Sequence, residues 1–380
     1  MRKTYKEINN KIKTGEVVVV SVEEAINITK KSGIKKASEY IDIVTTATFG
    51  PMCSSGAFLN FGHSDPPIRL SKTLLNGVLA YSGIAAVDTY IGATEQNEKK
   101  PNYGGANVIF DLVSGKEVEL IGYSKGSDCY PSRYVNRRIR LSDLNEAYLY
   151  NPRNAYQNYS GAINTSDKDI YTYMGRLKAN MDNINFSTTG QMSPLLKDPQ
   201  FRTIGIGTRI YLAGAKGYVS WYGTQFDSAK ECNSFNIPKT PSGTIATIGD
   251  LKDMKAKYLK PIYLKNYGVS LNVGIAIPIP ILDENLLAQV VMSNKEITTQ
   301  IVDYSTNPKR VIKEVTYEQL NKGFVNVNGK IVKTYNLSNT KVAKELEAEL
   351  VKEMQKGNFL LQEPIELFSR NKSVKKMVVN

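Results

Sequence analysis

Apolar positions in the first fifty residues follow a helix, strand, helix, strand order. Residues 3 to 14 read as a polar helix, and Val17-Val18-Val19-Val20 as a strand. The next segment, VEEAINITKKSG, is preceded by Ser21 with Glu24 three positions on, a capping box, and Gly33 closes it. A second strand follows from about Ile41 to Thr48. This spacing predicts a parallel βαβ unit, in which ligands sit beyond the carboxyl ends of the strands. Farther on, the pattern predicts a buried strand from Gly83 to Gly92 with Asp88 inside it, a helix from Asn107 to Val113, and a strand at VELIGYS. GVSLNVGIAIPIPILDEN has the character of a strand, but its two prolines place it at an edge or an irregular crossing. Helices are predicted from Asp283 to Met292 and, with clear amphipathic spacing, from Lys341 to Lys356 before Gly357. The expected fold class is α/β, with mixed sheets and βαβ units at the N-terminus. Residues 1–360 form one unit or two interleaved lobes with a boundary near 235–245, and 361–380 form a loose basic tail.

Composition narrows the classes of function. The 380 residues are 41% hydrophobic and 22% charged, the profile of a soluble globular protein with a sizeable core. No apolar run approaches the ~20 residues that span a bilayer. The start, MRKTYKEINNKIK, lacks the apolar region of a secretory signal, so no membrane role and a cytoplasmic location are expected. The net charge is +13, but Lys and Arg are spread along the chain without a helix-turn-helix, zinc-finger or RNP-like pattern. Nucleic acid is therefore not the expected partner; anionic small molecules and acidic proteins fit better. Three cysteines make no disulfide framework, and a single histidine leaves no Cys/His metal site.

Two stretches carry candidate chemistry. In the first, the run IDIVTTATF leads into Gly50-Pro51-Met52-Cys53-Ser54-Ser55-Gly56, a strand running into a small-residue turn. A thiol at such a turn meets free backbone N–H groups, although most free cysteines are small buried hydrophobes. His63, ten residues on, is the one imidazole available for proton transfer or, equally, a hydrogen-bonded loop residue. The second stretch repeats the device: a strand delivers Gly126-Ser127-Asp128-Cys129-Tyr130-Pro131, followed by Arg133, Arg137, Arg138 and Arg140. Guanidinium groups stabilise a thiolate and grip carboxylates by two points, which gives Cys129 the stronger electrostatic case of the two thiols. A solvated basic face is the plain alternative. Asp88 is either a binding group or a locally bonded structural residue.

Elsewhere the signals are weaker. The tyrosine- and asparagine-rich segment NEAYLYNPRNAYQNYSGAIN reads as a hydrogen-bonding pocket wall or as loops packed by rings. The glycines of Thr203 to Arg209 match no phosphate-binding fingerprint and suit strands in close backbone approach. Cys232 lies in a polar, turn-rich stretch without a basic cluster and is left out of the chemistry.

The chain resembles the homocysteine biosynthesis family. The segments that carry the resemblance include VTTATFGPMCSSGAFLNFGHSDPP, GIAAVDTYIGAT, YGGANVIFDLVSGKEVEL, GSDCYP, NPRNAYQNY, TIGIGTRIYLAG, GYVSWYGTQ and VGIAIPIPILDE. The resemblance implies an L-aspartate semialdehyde sulfurtransferase that inserts sulfur into the aldehyde and forms homocysteine after reduction. It implies catalytic roles for Cys129, Cys53 and His63: a persulfide on one cysteine, most readily Cys129, with the other relaying sulfur or closing a transient disulfide. Arg133, Arg137 or Arg138 would hold the substrate carboxylate, and Asp88 or Asp128 its ammonium. No bound cofactor or metal is expected; an external sulfur donor and a two-electron reductant are required. The resemblance also implies a ferredoxin-like electron-donor protein as partner, and self-association into a homo-oligomer is compatible with it. In the family a histidine commonly follows the GTQ segment, where this sequence has Phe226. Two other readings of the residues stay open: a different thiol-dependent sulfur-carrier or disulfide-exchange enzyme, and a non-catalytic module that binds a small anion.

Overall fold

A computed structural model describes residues 2–378. Thr4 and Glu7 form a capping box that starts the helix Tyr5–Thr14. Ser21 Oγ accepts from the Glu24 N–H while the Glu24 carboxylate accepts from the Ser21 N–H, so the next helix, Val22–Ser32, begins as its sequence predicts. A short helix, Ile34–Tyr40, is then inserted before the strand Ile43–Pro51. Val19–Ser21 and Ile43–Pro51 pair in parallel, with Val19 opposite Ile43, and close the βαβ unit. The fully buried Asp42 ties the first helix to this unit: Lys3 and Lys11 approach it to 3.1 and 2.8 Å, and the Val18 N–H donates to it.

The largest sheet has ten strands, mostly antiparallel. Nine follow in the order Val19–Ser21, Ile43–Pro51, Gly268–Pro280, Arg209–Leu212, Ala215–Tyr222, Thr244–Asp250, Glu146–Tyr156, Gly56–Asn60, Asp88–Gly92, and Leu259–Leu264 also pairs with Gly268–Pro280. Ile43–Pro51 and Gly56–Asn60 stand second and eighth, yet only Met52–Ser55 joins them. Six strand spacings in a flat sheet would be ~29 Å, and five backbone steps reach at most ~18 Å. The sheet must therefore curl until these two strands meet. Gly56 sits at that closure, where an added Cβ would lie 2.8 Å from the Ile91 carbonyl oxygen.

The proline-bearing strand is central, not an edge. Gly268–Pro280 pairs with Ile43–Pro51 over nine residues, placing Pro278 opposite Thr45 and Pro280 opposite Ile43. The Gly274 carbonyl accepts from the Ala213 N–H, so even-numbered residues aim their backbone groups away from Ile43–Pro51. On that side the last paired residue is Ala276. Pro278 and Pro280 thus withhold N–H groups that no strand needs, which is how a central strand tolerates them.

A six-stranded mixed sheet, Arg310–Thr316, Thr298–Asp303, Gly161–Ile163, Asn183–Phe186, Lys330–Asn336 and Phe324–Val327, carries its own apolar cluster around Ile184, Ile301, Tyr317 and Val327. A four-stranded antiparallel sheet, Val78–Ala80, Lys72–Leu75, Val118–Tyr123 and Tyr134–Ile139, packs Leu75, Val78, Val118 and Leu120 into the core of the ten-stranded sheet and is bridged to it where Tyr81 pairs with Tyr90. Among the described residues no helix is long and apolar enough to cross a membrane. The segment expected to be a loose tail is held through Lys372: Glu366–Leu367 pairs with Gly205–Ile206, and Phe368 is buried against Phe201, Tyr222 and Phe226. The Ala229 N–H donates to the Lys372 carbonyl.

The helix Thr340–Gln355 packs Leu346 and Leu350 into the main core, and with them Glu347, whose Oε1 has no hydrogen-bond partner among the described residues. Burial pushes this carboxyl up to about 8, despite a backbone hydrogen bond from Val22. Between about pH 4.5 and 8 the folded protein keeps a proton that the unfolded chain releases, so this group's contribution to stability falls as pH rises. Glu347→Gln is expected to flatten that slope and to gain a few kcal/mol over wild type at pH 8, with little difference at pH 4.5. Urea denaturation at the two pH values tests this; equal differences at both would count against it.

Candidate active site

The Ser55 N–H and Oγ both donate to the Met52 carbonyl, at 3.0 and 2.7 Å, which fixes a tight turn with Cys53 and Ser54 at its centre. The Met52 N–H donates to the Leu271 carbonyl, and Ser270 Oγ donates to Cys53 Sγ at 3.2 Å. Cys53 is therefore a half-buried thiol just past the carboxyl end of Ile43–Pro51, held by the strand beside it. That is where a parallel βαβ unit presents ligands.

The opposite wall comes from Glu146–Tyr156. Its register with Thr244–Asp250 slips between Asn151 and Asn154, so Pro152 and Arg153 form a bulge. The bulge accommodates the proline and re-aims the arginine. Arg153 Nε donates to Ser54 Oγ at 3.4 Å, and Asn151 Nδ2 donates to Ser55 Oγ at 3.0 Å, fastening the bulge to the cysteine turn. Among the described residues no carboxylate pairs with Arg153. A cavity of about 430 Å³ opens between these walls, with Cys53, Ser54, Arg153, Tyr156, Tyr173 and Tyr267 in its lining. Thr188, Ser193 and Ser338 add hydroxyl-bearing side chains to the lining. Burial, with Cys53 and Tyr173 nearby, pushes the Tyr267 phenol up. The arrangement offers a sulfur nucleophile, a cation for a carboxylate, and hydroxyls for an oxygen of the same small molecule.

The other expected site residues do not line this cavity. Cys129 is exposed on the hairpin loop between Val118–Tyr123 and Tyr134–Ile139, where its Sγ lies 3.6 Å from Ser127 Oγ. Asp128 is exposed in the same loop, and Arg133 packs over Gly126. The arginine run is extended rather than clustered: Arg137 and Arg138 are adjacent in a strand, so they point to opposite faces. Arg138 turns to Glu117 at 3.6 Å, and five residues of strand, ~17 Å, separate it from Arg133. His63 is exposed on a loop that runs beside the base of the Cys129 loop, where Ser132 Oγ donates to the Pro66 carbonyl. Asp88 accepts from Asn60 Nδ2 at the start of its strand, a local structural bond. Among the described residues no group of three or more His, Cys, Asp or Glu is placed to hold a metal ion.

The family model described as "Homocysteine biosynthesis enzyme, sulfur-incorporation" matches residues 17–361. The chain belongs to this family. Among similar proteins of the homocysteine biosynthesis family, one from Methanosarcina acetivorans, named L-aspartate semialdehyde sulfurtransferase, is 44% identical over 99% of this chain and 74% of its own length. A protein of the same name from Methanocaldococcus jannaschii is 45% identical over 98% of this chain and 75% of its own length. No solved structure matches the chain. The chain is thus an enzyme of a known family. Phe226, where the resemblance led to the expectation of a histidine, is buried between Phe201, Tyr222 and Phe368, and its side chain has no part in proton transfer. The sequence offered the segment NEAYLYNPRNAYQNYSGAIN as a hydrogen-bonding pocket wall or as loops packed by rings; Arg153, Tyr156 and Tyr159 of it line the cavity, but no role was expected for any one of them. The usable signal was a proline inside a strand-like run: NPRN marks the bulge that delivers the arginine.

Proposed function

We propose that this chain is an L-aspartate semialdehyde sulfurtransferase whose sulfur is carried by Cys53. The names of the two methanogen relatives support the substrate. The observation that carries the residue assignment is the Cys53 turn bonded through Ser54 to Arg153 inside one cavity. An external donor first converts Cys53 to a persulfide. Its terminal sulfur adds to the aldehyde carbon as the carbonyl oxygen takes a proton, while Arg153 grips the substrate carboxylate. Two electrons and two protons from an external reductant then cleave the S–S bond, freeing Cys53 and leaving a carbon that bears OH and SH. Loss of water gives the thioaldehyde, and a second two-electron, two-proton reduction gives the thiol of homocysteine. A ferredoxin-like protein would supply these electrons in the cytoplasm, and the exposed basic hairpin around Cys129 and Arg133 offers an acidic partner a surface.

The test is direct. Purified protein given aspartate semialdehyde, a sulfane-sulfur source and a low-potential reductant is expected to form homocysteine. Before substrate is added, mass spectrometry is expected to find an adduct of about 32 Da, one sulfur atom, on the Cys53 peptide. Homocysteine absent under all reductants tried, together with no adduct at Cys53, would sink the reading.

A further inference from the structure

We propose that the Tyr173 hydroxyl is the proton donor to the substrate's carbonyl oxygen in the Cys53 cavity, with Lys309 as the residue that positions it. This inference rests on the aldehyde reading above. It fills a role for which the sequence offered His63, which lies on an exposed loop and does not line the cavity.

Tyr173 is placed by a hairpin. Ile170–Thr172 pairs with Gly175–Leu177, Thr172 opposite Gly175, so Tyr173 and Met174 form its two-residue tip. Both line the cavity that holds Cys53. The tip is fixed from behind: Thr172 Oγ1 accepts from the Met174 N–H at 3.0 Å, and Asn185 Nδ2 donates to the Met174 carbonyl at 2.6 Å. Gly175, at φ 81°, supplies the left-handed residue that the return needs.

The phenol oxygen then meets polar groups of Tyr159, Tyr304 and Lys309. It lies 3.0 Å from the Tyr304 hydroxyl, and Lys309 Nζ donates to it at 3.2 Å. The same ammonium sits 3.6 Å from the centre of the Tyr304 ring, a cation–π contact that holds it over the pair. The Tyr159 and Tyr267 rings pack edge-on to Tyr173 at 6.4 and 6.3 Å. Burial pushes the Tyr156, Tyr159, Tyr267 and Tyr304 phenols up. Burial also acts on Tyr173, but hydrogen bonds with Tyr159, Tyr304 and Lys309 outweigh it and bring this phenol below its ordinary value. Of the phenols lining the cavity, Tyr173 is the one that accepts a hydrogen bond from an ammonium among the described residues, while Arg153 acts on Tyr156 instead.

The step balances within these groups. As the persulfide's terminal sulfur forms its bond to carbon, the C=O π pair moves onto oxygen, which takes the Tyr173 proton. The resulting phenolate is held by Lys309 and Tyr304. Solvent returns a proton through the exposed Lys309 ammonium, so the same phenol serves again when the hydroxyl leaves as water.

The experiment compares Tyr173→Phe, Lys309→Met and Lys309→Arg in the homocysteine assay, alongside sulfur loading of Cys53 by mass. Tyr173→Phe is expected to load sulfur normally, to keep KM within a few-fold, and to lose kcat by on the order of 10²-fold or more. Lys309→Met is expected to lower kcat and to move the alkaline limb of its pH profile upward by about one unit; Lys309→Arg should restore the limb. Wild-type turnover with an unimpaired Tyr173→Phe, or an unmoved limb in Lys309→Met, overturns the role of Tyr173 and leaves the sulfurtransferase reading standing. Wild-type protein that loads sulfur but makes no homocysteine overturns both.

Discussion

Cys53→Ser is expected to abolish homocysteine formation, a loss on the order of 10³-fold or more, together with the sulfur adduct. Cys129→Ser is expected to keep the adduct on Cys53. A serine hydroxyl cannot hold a sulfane sulfur, yet it is close in volume to the thiol and can still accept from Ser270 Oγ, which lies 3.2 Å from the sulfur. The turn itself depends on Met52 and Ser55, so Cys53→Ser should fold and the loss should be chemical. Cys129 is exposed and lies outside the cavity lining. Its position suits exchange with a second macromolecule rather than carbon–sulfur bond formation. Mass spectrometry of both peptides with turnover by each variant decides this. An adduct on Cys129 alone, with Cys53→Ser still active, would reverse the assignment.

What could be read from sequence here is what is local. The capping box at Ser21, the parallel unit closed by Ile43–Pro51, and the last amphipathic helix each depend on residues near one another in sequence. The thiol at a strand's end was legible for the same reason. The arginine run misled because a linear cluster becomes a spatial one only on a helix or in a loop; on a strand, alternation sends Arg137 and Arg138 to opposite faces. The prolines of Gly268–Pro280 misled because the neighbouring strand's length decides whether a missing N–H matters. Ser54 and Arg153 meet across 99 residues, and Tyr173 and Lys309 across 136. No periodicity in either segment records those meetings; they follow from the curl of one sheet and the placement of a separate two-stranded hairpin.

Arg153→Ala is expected to raise KM for the semialdehyde by on the order of 10²-fold, about 3 kcal/mol, with a smaller effect on kcat. The substrate carries a carboxylate, and Arg153 is the guanidinium in the cavity lining. Its Nε is committed to Ser54 Oγ, so a carboxylate would meet the terminal nitrogens, beside the Tyr156 hydroxyl. Arg153→Lys keeps the charge and loses the fork, so its KM should fall between wild type and alanine. Both variants should still load sulfur on Cys53, because the Met52–Ser55 turn is closed by its own hydrogen bonds and by Leu271. Steady-state kinetics with the adduct measured in parallel separates the outcomes. Unchanged KM in Arg153→Ala would mean that the carboxylate binds elsewhere. Loss of the adduct as well would make Arg153 a support for the turn and not a grip on the substrate.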